Sequence, residues 1–348
     1  MTGTAAALPA WLGLAAFAAA AVVSYGSILL LWPWLQRYAL ARPNARSSHK
    51  TPTPQGGGIA VVGATLLVMV VAFAMRPGWG GAQSTQLAAV IAGALLMTIM
   101  GAIDDVRALD PLTRLGLQSA GVALVIAVMP AELRAVPWLP WWVERIALLA
   151  AGVWFVNLVN FMDGIDWMTV AQVVPMTTGL VIAGVLGGLP PLGILAACAL
   201  AGAVIGFAPF NRPVAKLFLG DVGSVPIGLI LAWLLFLLAS HGRLAAALLL
   251  SLYYVADATL TLALRMVRGE KVWEAHRTHF YQRATTNGMS VSGIVARVFA
   301  VNLALVFLAT TTLAYPSMTT DVVSMLIGAA LVAALLVELS RHGQRAPE

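Results

Sequence analysis

The chain has 348 residues, 60% of them hydrophobic and only 10% charged, with a mean hydropathy of +0.90. A soluble domain is about one-quarter charged, so lipid rather than water must solvate much of this surface. The formal net charge of +6 belongs to loops rich in Lys and Arg and is no sign of nucleic-acid binding. The one cysteine, Cys198, lies in an apolar run; it excludes an intramolecular disulfide and reads as a small buried hydrophobe.

A membrane-spanning helix needs about 20 mostly apolar residues. Such runs fall near residues 9–35, 57–75, 85–103, 115–130, 145–161, 169–187, 190–209, 224–240, 243–264, 291–314 and 320–339. They predict an all-α fold, a polytopic membrane helical bundle of about eleven transmembrane helices in a single domain, 1–348. The first run has no basic residues before it and ends in LLLWPWLQR rather than a small-residue cleavage site. It is expected to be a retained span and not a signal peptide.

Lys and Arg divide unevenly between alternate loops. One set holds Arg37, Arg42, Arg46, Lys50, Arg107, Arg114, Arg212, Lys216, Arg265, Arg268, Lys271, Arg277, Arg283, Arg341 and Arg345; the other holds Arg76, Arg134, Arg145 and Arg243. The richer side is expected to be cytosolic, with the N-terminus outside and the C-terminus inside. Trp138, Trp141 and Trp142 then fall in an outer loop, where an interfacial aromatic belt is expected.

The acids share one side. Of eight Asp residues, Asp104, Asp105, Asp110, Asp163, Asp166 and Asp221 lie in or beside the cytosolic loops, and only Asp321 lies outside. Asp257 sits within the ninth span, about 12 Å along the helix from Arg265, with no role assigned. Acids brought to one face by three separate loops suggest a cation site.

Five segments carry the chemistry. In GAIDDVRALDPLTR (101–114), adjacent carboxylates repel and call for a cation or a shared proton; a solvated helix end is the bland alternative. In NLVNFMDGIDW (157–167), Asn157, Asn160, Asp163 and Asp166 recur every three residues along one helix stripe. Their oxygens suit a hard cation; the alternative is a polar helix end with Gly164 as its cap. In NRPVAKLFLGDVGSVPIG (211–228), Asp221 stands between Gly220 and Gly223 at the start of a span, with Lys216 nearby. Glycines admit a close backbone approach and a helix start welcomes phosphate, although an N-capping Asp in an ordinary turn has the same form. In RGEKVWEAHRTHFYQRATTNGMS (268–290), His276 and His279 are interleaved with Arg277 and Arg283. That pattern suits a nucleotide diphosphate better than zinc, against the alternative of a solvated basic loop. In RSSHKTPTPQGGGIA (46–60), Arg46, His49 and Lys50 stand in a shaped loop at the membrane surface, suited to a lipid phosphate or to a plain basic linker.

Together these segments resemble the polyprenyl-phosphate N-acetylhexosamine-1-phosphate transferase superfamily. The resemblance covers roughly residues 46–290 and rests on PTPQGGG, Asp104–Asp105, Asn157 through Asp166, FLGDVGS and AHRTH, in that order. The His loop is most similar to the O-antigen-initiating type. The resemblance implies transfer of a sugar 1-phosphate from a UDP-N-acetylhexosamine to undecaprenyl phosphate, with Mg²⁺ (or Mn²⁺ in its place), in a bacterial inner membrane with the site on the cytosolic face. It implies catalytic roles for Asp104, Asp105, Asp163 and His276, and metal binding by Asn160 and Asp221. It further implies nucleotide or sugar contacts from Asn157, Asp166, Lys216, Arg277, His279 and Arg283, and lipid-phosphate contacts from His49, Lys50 and Thr53. It leaves a homodimer open and implies no nucleic-acid partner.

Two positions depart from the family pattern. Trp167 stands where glycine is usual, and its ring is expected to narrow or reshape the pocket beside Asp166. Gln55 stands where a basic residue often precedes the triple glycine, which weakens a phosphate contact there. Two other classes share the multi-span, acid-bearing pattern: a secondary transporter, whose key groups would sit near the midplane, and a catalytically silent scaffold.

Overall fold

The computed structural model describes residues 8–41, 52–76, 78–271 and 276–341. Helices account for nearly all of it: α1 (Ala10–Tyr38), α2 (Gly57–Ala74), α3 (Ala82–Val106), α4 (Pro111–Ala127), α5 (Trp141–Met162), α6 (Met168–Val185), α7 (Pro191–Phe207), α8 (Asp221–Ser240), α9 (Leu244–Val267), α10 (Phe280–Thr286), α11 (Val291–Ala314) and α12 (Met318–Arg341). Each of the eleven predicted apolar runs is a helix. Among the described residues nine helices are long and apolar enough to cross a membrane, while α4 and α7 are apolar but shorter. The seven-residue α10 and a hairpin of two-residue strands, β1 (Leu40–Ala41) and β2 (Thr53–Pro54), were not predicted.

The helix α8 is the axis of the bundle and is almost wholly buried. It packs against α2, α3, α5 and α9, while α7 sits among α1, α2 and α6. Lipid tails are as apolar as leucine, so helices in a bilayer associate through close packing and not through the hydrophobic effect. Small residues provide that packing here. Gly58 of α2 and Gly223 of α8 face each other, Gly202 and Gly206 of α7 meet the α1 backbone at Phe17 and Ala21, and a Cβ on Gly228 would come within 2.9 Å of Val156 of α5. Large apolar side chains such as Leu30, 83% exposed, and Leu14, 70% exposed, point outward, as a lipid-facing surface requires.

Helix direction carries the acids to one end. The α5 helix starts at Trp141 and ends at Met162, capped by Asp163, so the exposed tryptophans and the acids lie at opposite ends of a rod roughly 33 Å long. The C-termini of α3, α5 and α9, the N-terminus of α8, and α10 all gather at the acid end.

Candidate active site

The site begins with a glycine. A Cβ on Gly101 would run into the backbone of Asp221, so its absence lets the last turns of α3 lie against the first turn of α8. Asp105, four residues on, then accepts Asp221 N–H at 2.9 Å on Oδ1 and Val222 N–H at 3.1 Å on Oδ2. A carboxylate at the C-terminus of its own helix is disfavoured by the helix dipole. Here the N-terminus of α8 compensates, with two backbone donors aimed at the charge. Gln55 completes the clamp by donating its amide N–H to Asp105. The residue in place of the family's usual base therefore holds an aspartate. Backbone bonds from Phe218 N–H to Pro54 and from Gly56 and Gly57 N–H to Phe218 join the PTPQGGG segment to FLGD.

Asp104 and Asp221 lie within hydrogen-bonding reach of each other. Asp104 also accepts Leu109 N–H at 2.7 Å and Arg114 Nη1 at 3.1 Å. Asn160 of α5 donates its amide N–H to Asp221 Oδ1 at 2.7 Å and to Ser224 Oγ at 2.9 Å. Carboxylates from α3 and α8 thus meet an amide from α5 and a hydroxyl from α8. Among the described residues no ion pair reaches Asp105, Asp163 or Asp221.

That donor set is all oxygen-bearing and carries excess negative charge, which fits a hard cation such as Mg²⁺ and not zinc. Among the described residues no three His, Cys, Asp or Glu side chains form a ready-made cage. Mg²⁺ is commonly held by one or two carboxylates together with substrate phosphates, so a full cage is not required. Asp221, Asp104 and Asn160, after a turn of its amide, would be the residues to hold such an ion.

The remaining residues of the second segment diverge in role. Asp163, the C-cap of α5, accepts the Thr169 hydroxyl. Loss of solvent around its carboxyl, joined by the charges of Asp221, Asp105 and Asp166, pushes it up to about 7 against the pull of that hydroxyl. Asp166 is buried and accepts Ala215 N–H at 2.9 Å, which fastens the loop before α8. Trp167 adopts φ +62°, the left-handed conformation where glycine is at home. That conformation costs a bulky residue roughly 1–3 kcal/mol. Two hydrogen bonds offset the cost: Trp167 N–H to Asn211 Oδ1 at 2.8 Å and the indole Nε1–H to Ala208 O at 2.7 Å. The ring is tied to the end of α7 and is not among the residues lining the groove described next.

A groove of about 590 Å³ opens between α4, α5, α9 and the His loop. Its polar lining is Arg114, Gln118, Asn157, Asn160, His276, His279 and Gln282; its apolar lining includes Leu115, Val153, Leu262 and Met266. Asn157 donates to Gln118 Oε1 at 2.7 Å. His276 and His279 stack with ring centroids 4.9 Å apart. Burial, then the nearby His279 and Arg265, pushes His276 down to about 4, so it is neutral at physiological pH. Arg283 lies over the Phe280 ring at 5.9 Å, Arg277 is half-buried, and Lys216 is exposed on the loop before α8. Thr53 is buried in β2, while His49 and Lys50 lie outside the described residues.

Sequence patterns did not single out Arg114 as the partner of Asp104, nor Gln118, Ser224 or Gln282. Gln118 alone left a signal: it is an amide inside an otherwise apolar run, four residues after Arg114 on the same helix face.

Polar chemistry thus collects at one end of a bundle of helices long and apolar enough to cross a membrane, with a groove of mixed lining beside it. The comparisons make the class specific. Residues 87–239 match the model of glycosyl transferase family 4. The chain is 32% identical to a decaprenyl-phosphate N-acetylglucosaminephosphotransferase of Mycobacterium tuberculosis, over 88% of this chain and 83% of that protein. It is 30% identical to the protein of that name from Mycolicibacterium smegmatis, over 89% and 83%. It is also 32% identical to a phospho-N-acetylmuramoyl-pentapeptide-transferase of a Synechococcus species, over 51% and 52%. The chain belongs to the polyprenyl-phosphate sugar-1-phosphate transferase superfamily, glycosyl transferase family 4.

Proposed function

We propose that the protein transfers an N-acetylhexosamine 1-phosphate from a UDP-sugar to undecaprenyl phosphate or a similar polyprenyl phosphate, releasing UMP and starting a lipid-linked surface polysaccharide. The site would face the cytosol in a bacterial inner membrane. The observation that carries this reading is the convergence of Asp104, Asp105, Asn160 and Asp221 from three helices beside a groove lined by both polar and apolar side chains. The mycobacterial relatives, named for a polyprenyl phosphate and N-acetylglucosamine, support the same reading.

In the proposed step an oxygen of the lipid phosphate attacks the sugar-linked phosphorus of the UDP-sugar. The bond to the UMP oxygen breaks, and UMP leaves with its electron pair. One diphosphate bond forms as another breaks, so catalysis is mostly positioning and charge neutralisation. Two phosphate charges about 4 Å apart repel by several kcal/mol at an effective dielectric near 20. A bound Mg²⁺ would supply most of the offset by drawing charge from the phosphate oxygens. Arg114 and Arg277 would add fixed positive charge, and the apolar groove wall would take the first prenyl units. Asp104 is the candidate acceptor for any proton on the lipid phosphate. Asp105 is the other candidate, and its oxygens also clamp Gln55 and the start of α8.

The test is UMP release from a panel of UDP-N-acetylhexosamines with undecaprenyl phosphate and Mg²⁺ in detergent. Turnover is expected with at least one donor, with loss on chelation and recovery on adding Mg²⁺. Silence across the panel would end the enzymatic proposal.

A further inference from the structure

Inside the apolar length of α9 lies a carboxylate that the proposed reaction does not use. Asp257 is fully buried. Five donors nonetheless converge on it. Its Oδ1 accepts Phe280 N–H at 3.1 Å, His279 Nδ1–H at 3.3 Å and the Thr261 hydroxyl at 3.4 Å. Its Oδ2 accepts Tyr281 N–H at 3.3 Å and the Tyr253 hydroxyl at 3.4 Å. Two of these donors, Tyr253 and Thr261, come from the turns of α9 on either side. The other three belong to the start of α10, the segment that presents His279 to the groove.

An acid buried in a bilayer is costly unless it is satisfied and used. A structural anchor alone would be met by the two backbone bonds. The third bond goes to a ring nitrogen, and it decides something. A carboxylate only accepts, so the bonded Nδ1 carries the proton, and in an uncharged ring that leaves Nε2 bare. His279 is itself 98% enclosed, stacks between His276 and Tyr281, and lines the groove. Tyr281, whose hydroxyl donates to Phe161 O at 2.8 Å, ties the same segment to the last turn of α5 beside Asn160. Gly164 makes room for that hydroxyl.

We infer that Asp257 is a positioning residue of the active site: it fixes the tautomer and orientation of His279, so that Nε2 is offered to the groove as an acceptor for a hydroxyl or amide N–H of the bound sugar. The groove's substrate rests on the function proposed above; the tautomer does not. Partners that orient a functional histidine typically contribute 10–100-fold.

Two measurements test it. The first is ¹⁵N NMR of histidine-labelled full-length protein in micelles at pH 8 without substrate, with His279 assigned by loss of its signals in His279→Ala. A protonated Nδ1 and bare Nε2 are expected; the reverse tautomer, or exchange between the two, overturns the inference. The second is a double-mutant cycle on UMP release. Asp257→Asn can turn its amide N–H toward the ring and reverse the tautomer. A fall in kcat/KM of roughly 10–100-fold is expected. Combined with His279→Ala, it should cost no more than His279→Ala alone, whereas full additivity would mean that Asp257 acts elsewhere. If Asp257→Asn does not fold, the wild-type tautomer still decides. A wild-type protein with the expected tautomer and no turnover on any donor leaves the positioning of His279 standing and removes the proposed reaction.

Discussion

The two ends of α5 handle a carboxylate in opposite ways. At the start, Glu144 is 1% exposed and fully matched: it pairs with Arg134 and accepts Ala135 N–H at 2.6 Å and Val136 N–H at 3.0 Å. One negative charge meets one positive charge and two backbone donors. At the far end, Asn160 and Asp163 face Asp221, Asp104 and Asp105, and among the described residues Arg114 on Asp104 is the cation paired with those carboxylates. The chain can neutralise a buried acid with arginine and does so where only structure is needed. Where it leaves charge in excess, the function proposed above calls for a cation brought with the substrate.

Replacement of Asp221 by Asn should separate the two ends most sharply. The substitution keeps the shape and the Asn160 contact but removes the carboxylate charge nearest to it. UMP release should fall by about a thousandfold, the scale seen when a preorganised electrostatic group is removed. The melting temperature should hold or rise, because a carboxylate facing like charges is lost. Full activity in this variant would remove Asp221 from the metal site. The mirror experiment is Glu144→Gln. It leaves the partly exposed Arg134 without its carboxylate, although still bonded to Leu139 O, and should cost about 2 kcal/mol, read as a lower melting temperature in detergent. Turnover per folded molecule should stay unchanged. A selective loss of turnover instead would mean that the two ends are coupled, and the contrast between them would fail.

Much of this arrangement is legible in the sequence because lipid imposes a coarse rule. About 20 apolar residues are needed to span, and all eleven runs found that way are helices with ends within a few residues of those predicted. The α10 helix escaped because seven residues are too few to display a period, and Asp257 in another helix caps its start. The site shows the same division. Asp104, Asp105, Asn160, Asp163 and Asp221 were visible as acids and amides where lipid-solvated helices end. Their partners were not, because those bonds join distant parts of the chain: Gln55 to Asp105, Asn157 to Gln118, His279 to Asp257. Trp167 carries a conformational feature that its sequence position does not display. Beside a missing glycine its bulk looked decisive, yet what matters is the left-handed backbone that it adopts and the two bonds that hold it there.

The smallest expected effect concerns protons and sharpens the contrast further. Asp163 is pushed from 3.8 up to about 7, and His276 from 6.5 down to about 4. Between about pH 4 and 7 the folded chain keeps a proton on Asp163 that the unfolded chain has released, so this group lowers stability as pH rises through that window. For His276 the unfolded chain holds a proton that the folded chain refuses. Its contribution is complete above about pH 6.5 and is lost as pH falls toward 4. The two slopes oppose each other, and the fully enclosed Asp163 outweighs the half-buried His276, so the melting temperature of metal-free wild-type protein should fall gently from about pH 4.5 to 6.5. Asp163→Asn removes its share of the falling slope, so its melting temperature should fall less with pH than that of wild type, by a few degrees across the window. His276→Gln removes the rising slope and should show the reverse, by less, because that ring is only half-buried and solvent screens it. Parallel curves for wild type and both variants would show that neither group carries an ionisation cost. The acid end of α5 would then be no more strained electrostatically than the paired Glu144 at its start.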